Sequence, residues 1–137
     1  GTLAREVAAL FMHGERALPA RGALRLSPDP VVQAAAALMR RNVETPLPVA
    51  EIARRLGLGR RALETALAAA GAPAPAALYR AVRLAEARRR LTLTSESVAQ
   101  IAGRCGYDDP TALTRAFRTH FGVTPSQARK TAHGNAI

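Results

Sequence analysis

Apolar residues recur every three to four positions along most of the chain, the spacing by which a helix buries one face. Leu3, Val7, Leu10 and Phe11 mark the inner face of a short helix over 2–12, ended by His13, Gly14 and Pro19. Residues 15–26 have no such period. Arg16, Arg21 and Arg25 are spaced through them, and the segment reads as a linker or arm. A second helix spans 27–42, with Val31, Ala35, Leu38 and Met39 facing inward. Ser27 caps it, Pro28 and Pro30 fit its first turn, Asp29 suits the positive end, and Arg40 and Arg41 suit the negative one. A third helix, 47–56, stops at Gly57, and a fourth lies within 57–71 with Leu63, Ala66 and Leu67 on one side. Pro73 and Pro75 separate it from the longest, 75–92, whose informative positions are Leu78, Val82, Leu84, Ala87, Arg88 and Leu91.

The stretch 97–121, SVAQIAGRCGYDDPTALTRAFRTHF, carries the densest local signals. Ser97 and Gln100 form a capping box, in which the hydroxyl accepts from the third amide and the glutamine reaches back. Val98, Ile101, Ala102 and Cys105 share a face, and Gly106 ends the helix in a left-handed turn at little steric cost. Asp108 and Asp109 offer a new N-cap, and Pro110 suits the turn after it. Leu113, Ala116, Phe117 and His120 line the inner face of the next helix, with Thr111, Thr114, Arg115 and Arg118 on the outer one. Two short helices around a tight glycine turn, the second polar and basic outside, describe a helix-turn-helix. The pattern occurs twice. Val49, Ala50, Ile52, Ala53, Arg55 and Gly57 precede Val98, Ala99, Ile101, Ala102, Arg104 and Gly106 by 49 residues. Past the turn, Ala62, Leu63, Ala66 and Leu67 precede Ala112, Leu113, Ala116 and Phe117 by 50, so the second turn is one residue longer.

Composition narrows the picture. The 137 residues suffice for one domain with an appendage, and 48% hydrophobic content supports a packed core. Ala and Leu dominate while aromatics make up 4%, which favours helices over strands. The net charge is +10 and nearly all the cations are Arg, with Lys130 the single lysine. The planar guanidinium fork suits phosphate and guanine edges. The same surplus would also suit an anionic membrane surface or a merely solvated exterior. Cys105 is the one cysteine, so no internal disulfide forms, in keeping with a reducing, cytoplasmic setting. No apolar run reaches membrane-span length, no secretory pattern opens the chain, and Gly1 rather than Met stands first, as in a piece of something longer. His13, His120 and His133 are scattered, and neither a nucleophile–base set nor a phosphate-cradling glycine loop occurs. No metal, cofactor or enzymatic role is expected. Cys105 reads as a small buried hydrophobe rather than a redox switch, and His120 as a packed core histidine.

From about Leu47 to Arg129 the chain resembles the DNA-binding domain of the AraC family of bacterial transcription regulators. The resemblance rests on RLAEARRRL (83–91), VAQIAGRCGYDD (98–109), LTRAFRTHFGVTP (113–125) and Arg129 four residues after Pro125. Residues 1–45 resemble the connection in members that carry an amidotransferase-like sensor domain upstream. The resemblance implies a monomeric domain with two helix-turn-helix units held apart by the 75–92 helix, their second helices entering successive major grooves. The chain departs from the family pattern at Gly59, where a small hydroxyl cap is usual, and at Thr65, where Arg is usual. Leu67 and Leu113 stand where aromatics are usual, and Pro48 takes the capping position that Ser97 fills in the second copy.

The expected fold is all-α: two helix-turn-helix subdomains joined by a long linker helix, with an N-terminal helical extension. The expected boundaries are an extension over 1–45, a DNA-binding domain over 46–130 and a flexible tail over 131–137. Within the domain, the first helix-turn-helix covers 47–71, the linker helix 75–92 and the second helix-turn-helix 97–121. The expected function is sequence-specific binding of double-stranded DNA in transcription control. The DNA-facing candidates are Arg60, Arg61, Glu64, Thr65, Asp109, Thr111, Thr114, Arg115 and Arg118. Blander roles stand beside these. Arg60 and Arg61 can hold phosphate alone, Arg115 and Arg118 can form a solvated face, and Glu64 can limit local charge or accept from cytosine N4. RNA polymerase and an upstream sensor domain are the further expected partners, and no membrane is. Two rivals stay open: a non-specific nucleic-acid or membrane-surface binder, and a protein-interaction module.

Overall fold

The structure, a computed structural model, describes residues 29–134. The helix expected over 2–12, the arm over 15–26 and Ser27 lie outside them. The helix expected over 27–42 is α1, Pro30–Arg40. Its cap is Asp29, not Ser27: Asp29 Oδ1 accepts from the Val31 and Val32 amides at 2.8 and 3.3 Å. Pro30 takes the first helical position, where its missing N–H costs nothing. There follow α2 (Val49–Arg55), α3 (Arg60–Ala69), α4 (Pro75–Leu93), α5 (Val98–Arg104), α6 (Pro110–Phe121) and α7 (Pro125–Gly134). The described residues contain no strand.

These helices enclose two cores. The first gathers Val32, Ala35, Ala36 and Met39 of α1, Ile52 and Ala53 of α2, Leu63 and Leu67 of α3, and Leu78, Tyr79, Ala81 and Val82 of α4. α1 is therefore part of the first unit rather than an extension before residue 46. The physical reason is length: α2 and α3 have 7 and 10 residues, and α1 closes the side of their apolar faces that they and α4 leave open. The second core gathers Leu84, Ala87 and Leu91 of α4 with Ile101, Ala102, Cys105, Leu113 and Phe117. α7 covers it through Ala128, and Pro125 is buried. Residues 131–134 belong to α7, where a tail was expected. A capping box starts α7: Gln127 N donates to Thr124 Oγ1 at 3.1 Å and Thr124 N donates to Gln127 Oε1 at 2.9 Å. Its far end docks on α4. Arg129 donates to the Leu91 and Thr94 carbonyls at 3.2 and 3.1 Å, and His133 Nε2 lies 2.9 Å from the Thr92 carbonyl oxygen. Two basic side chains thus satisfy carbonyls that the end of α4 leaves open.

α4 serves both cores. Its 19 residues extend about 28 Å. Glu86 pairs with Arg89 and Arg90, and Glu96 links Arg90 to Arg104 at 2.9 and 3.0 Å, tying α4 to α5. Burial pushes the Glu86 carboxyl up, but Arg89 and Arg90 outweigh it and leave it below its ordinary value. Bonds from Arg90 and Arg104 likewise hold Glu96 down. A depressed folded-state value means stability that is present at neutral pH and lost as pH falls through that value.

The sequence repeat is also a backbone repeat. Leu58 N donates to Ala53 O at 2.9 Å, and Tyr107 N, 49 residues on, donates to Ala102 O at 2.8 Å. Between them Gly57 and Gly106 have φ of 73° and 79°, a conformation that any side chain would strain. The starts of the helices differ. Ser97 and Gln100 make the expected capping box, and Asp109 Oδ1 accepts from Ala112 N at 2.8 Å. Pro48 and Gly59 give α2 and α3 no side-chain cap. A missing side-chain cap costs up to about 1 kcal/mol, and only a few tenths where Gly takes the position, as Gly59 does.

Candidate nucleic-acid interface

On α6, Leu113 and Phe117 are fully buried, which turns the opposite side of the helix outward. Thr111, Arg115 and Arg118 are exposed there and Thr114 is half-buried. Together with Thr119 they line one shallow, open groove. Thr119 was missing from the sequence-based set, although it lies one turn beyond Arg115 on the same side. Its Oγ1 donates to the Arg115 carbonyl at 2.9 Å. Neither Arg115 nor Arg118 forms an ion pair among the described residues. A groove of threonine hydroxyls and methyls flanked by two unneutralised guanidiniums can donate, accept and make apolar contact. Asp109 sits at the start of this helix as its N-cap, with one carboxylate oxygen already engaged.

The first unit presents the equivalent side of α3. Leu63 and Leu67 are fully buried, and Arg60, Arg61, Glu64 and Thr65 are exposed. Arg60 Nε and Glu64 Oε2 are 3.9 Å apart with both side chains mostly in solvent, a weak pairing. With the offset of 50, Arg61 answers Thr111, Glu64 answers Thr114, Thr65 answers Arg115 and the exposed Ala68 answers Arg118. Cations therefore stand at the start of one helix and further along the other. The structure places the candidates as two sets on two equivalent helices and does not gather them into one pocket. No group of three or more potential metal ligands occurs among the described residues, and no helix among them is long and apolar enough to cross a membrane.

The helix-turn-helix domain model matches residues 52–131, more than half of the chain. An AraC-type DNA-binding domain from Chromobacterium violaceum superimposes with a TM-score of 0.72 at 34% identity, covering 75% of this chain and 92% of that one. The chain belongs to the AraC-type helix-turn-helix family. Among its relatives, the transcriptional regulator ArgR of Pseudomonas aeruginosa is 36% identical over 110 residues, covering 80% of this chain and 33% of ArgR. CdhR of the same organism is 36% identical over 91 residues, covering 66% of this chain and 27% of CdhR. The AraC-type domain thus spans a third or less of these curated relatives. The DNA-binding domain of AdpA, solved with a target DNA, superimposes with a TM-score of 0.68 at 28% identity, covering 78% of this chain and 96% of that one. Leu67 and Leu113, the two places where the resemblance led to the expectation of aromatics, are both fully buried, so what stands there is a matter of core packing.

Cys105 is fully buried and burial pushes its thiol up to about 12. The thiolate is the reactive form. A thiol reagent at pH 8 should leave the folded domain unlabelled over a time in which denatured chain reacts completely. Rapid labelling of folded protein would place Cys105 at the surface. His120 is half-buried, its ring edge-on to Phe121 at 4.7 Å.

Proposed function

We propose that the AraC-type domain is the DNA-reading part of a transcription regulator, with α3 and α6 entering successive major grooves of one duplex. The observation that carries this is the pair of outward faces on equivalent helices of two units, one bearing Arg60, Arg61, Glu64 and Thr65 and the other Thr111, Thr114, Arg115 and Arg118. Successive grooves are about 34 Å apart, and α4, about 28 Å long, could brace two units at about that separation. Because the two faces differ at every equivalent position, the preferred site is non-palindromic. Footprinting of a one-to-one complex should show two protected patches about one helical turn apart. One patch alone would leave the first unit without a reading role. Equal affinity for any duplex, or for anionic vesicles, would favour a general polyanion binder.

Arg115 is the residue best placed to read a base, since its fork can span guanine O6 and N7. Arg115→Ala should cost about 1–3 kcal/mol and relax preference at one base pair. Thr65→Ala, at the equivalent place in α3, should change affinity less and leave the preferred sequence nearly intact. Titration against the selected site and its single-base variants checks both. Uniform weakening of all duplexes by Arg115→Ala would make Arg115 a phosphate contact.

The same reading extends to an effector-sensing domain upstream and to contact with RNA polymerase. The first is supported by the length that ArgR and CdhR have outside the matched region. The second is supported by the description of another relative, RhaS of Pectobacterium carotovorum, as a transcriptional activator. It also places the protein in the cytoplasm and assigns it no catalytic step.

A further inference from the structure

Gly106 belongs to the second unit but rests on the first. A Cβ built on it would stand 2.5 Å from the Val43 carbonyl oxygen and 2.9 Å from two ring carbons of Pro46. The turn of the second helix-turn-helix therefore touches the 43–46 segment with no room for a methyl group. One oxygen brackets that segment. The Tyr79 hydroxyl donates to the Asn42 carbonyl at 2.6 Å and accepts from the Leu47 amide at 2.9 Å. One helical turn further along α4, Arg83 donates to the Cys105 and Gly106 carbonyls at 2.8 and 2.7 Å. Its guanidinium lies 4.2 Å from the centre of the Tyr107 ring. Gly106 is thus held by α4 through its carbonyl and by the first unit through its α-carbon.

A linker helix alone sets the separation of two units and leaves some bending and twisting between them. The Gly106 contact adds a second point of attachment, and two points remove those freedoms. We propose that Tyr79 and Arg83 are positioning residues that lock the two units in one relative orientation, so that the domain accepts a single spacing between its half-sites. This rests on the two-groove reading above. One added base pair moves the second half-site by about 3.4 Å along the duplex and about a tenth of a turn around it. Locked units cannot follow both changes at once. The planar fork of Arg83 reaches two successive carbonyls, which a lysine ammonium on a flexible stem holds less rigidly.

The test uses the full chain and its Arg83→Met, Arg83→Lys and Tyr79→Phe variants, each checked for helical content. Each is titrated against the duplex that the wild type selects from a random library. The other ligands are versions of that duplex with one base pair inserted or deleted between the protected patches, and duplexes carrying one half-site. The wild type should lose about tenfold or more on insertion or deletion, because simultaneous engagement fails. Arg83→Met and Tyr79→Phe should lose roughly threefold or less, with wild-type affinity for single half-sites. Arg83→Lys should fall between. If both variants keep the wild-type spacing profile, or flatten it only by weakening single half-sites too, the locking role is overturned. If Arg83→Met does not fold, Tyr79→Phe decides alone. A wild type indifferent to spacing would instead sink the two-groove reading, and the locking role with it.

Discussion

Phe117→Ala is expected to destabilise the second unit by about 3–5 kcal/mol. Phe117 is the largest fully buried side chain in the described structure, with its ring 4.6 Å from that of Phe121. It packs among residues from α4, α5 and α6, so truncation leaves a void that no single helix can close. A loss of that size is a large part of the stability of a small domain, roughly 5–15 kcal/mol. The damage should also be local. Phe117 has no place in the first core, whose equivalent position is filled by Leu67. Hydrogen exchange under native conditions should accelerate strongly in α5 and α6 and much less in α1 to α3. Equal acceleration throughout would mean that α4 couples the two cores into one cooperative unit. A loss under about 1 kcal/mol would show that the pocket collapses around the smaller side chain.

Affinity for the selected duplex is expected to fall about a thousandfold between 50 and 200 mM salt. Guanidiniums that touch phosphate release condensed cations, and release becomes less favourable as bulk salt rises. With on the order of six phosphate contacts the log–log slope is about −5. The exposed cations of α3 and α6 other than the base-reading Arg115, namely Arg60, Arg61 and Arg118, would supply about half of them. A titration series in salt gives the slope directly. A slope near zero would remove phosphate contact as the source of affinity. An equally steep slope with equal affinity on scrambled duplex would leave charge as the whole interaction.

Much of this architecture could be read from local chemistry. The Ser97 capping box, a cap from the Asp108–Asp109 pair before Pro110, the helix stop at Gly57 and the left-handed turn at Gly106 are signals that a few neighbouring residues specify; of the pair, the structure selects Asp109. Other features were harder because their cause is distant. Ser27 and Asp29 are both good caps, and only the fold selects Asp29. α1 looked like an extension because its apolar face gives no hint of its partners, which come from three other helices. The T-P-S-Q box that starts α7 is a local signal of the same kind as the Ser97 box. The contact between Gly106 and Pro46 had no local signal, since sixty residues separate them and the glycine is already explained by its turn. The two outward faces were legible as faces, apart from Thr119. Which bases they meet depends on a duplex that the chain does not encode.

The sharing of α4 between the cores turns that helix into a screw thread. Val82 completes one core and Leu84 begins the other, with Arg83 alone between them. A single residue inserted there would advance everything beyond it by about 1.5 Å and rotate it by about 100°. Leu84, Ala87 and Leu91 would leave their core together, and α6 would swing round to a different side of the molecule. Only additions close to whole turns, on the order of seven residues, would restore the facing. Such additions would also lengthen the reach between the recognition helices by about 10 Å. The pitch of the helix thereby ties the length of the linker to the geometry of the duplex, and lineages of this fold can change that length only in coarse steps.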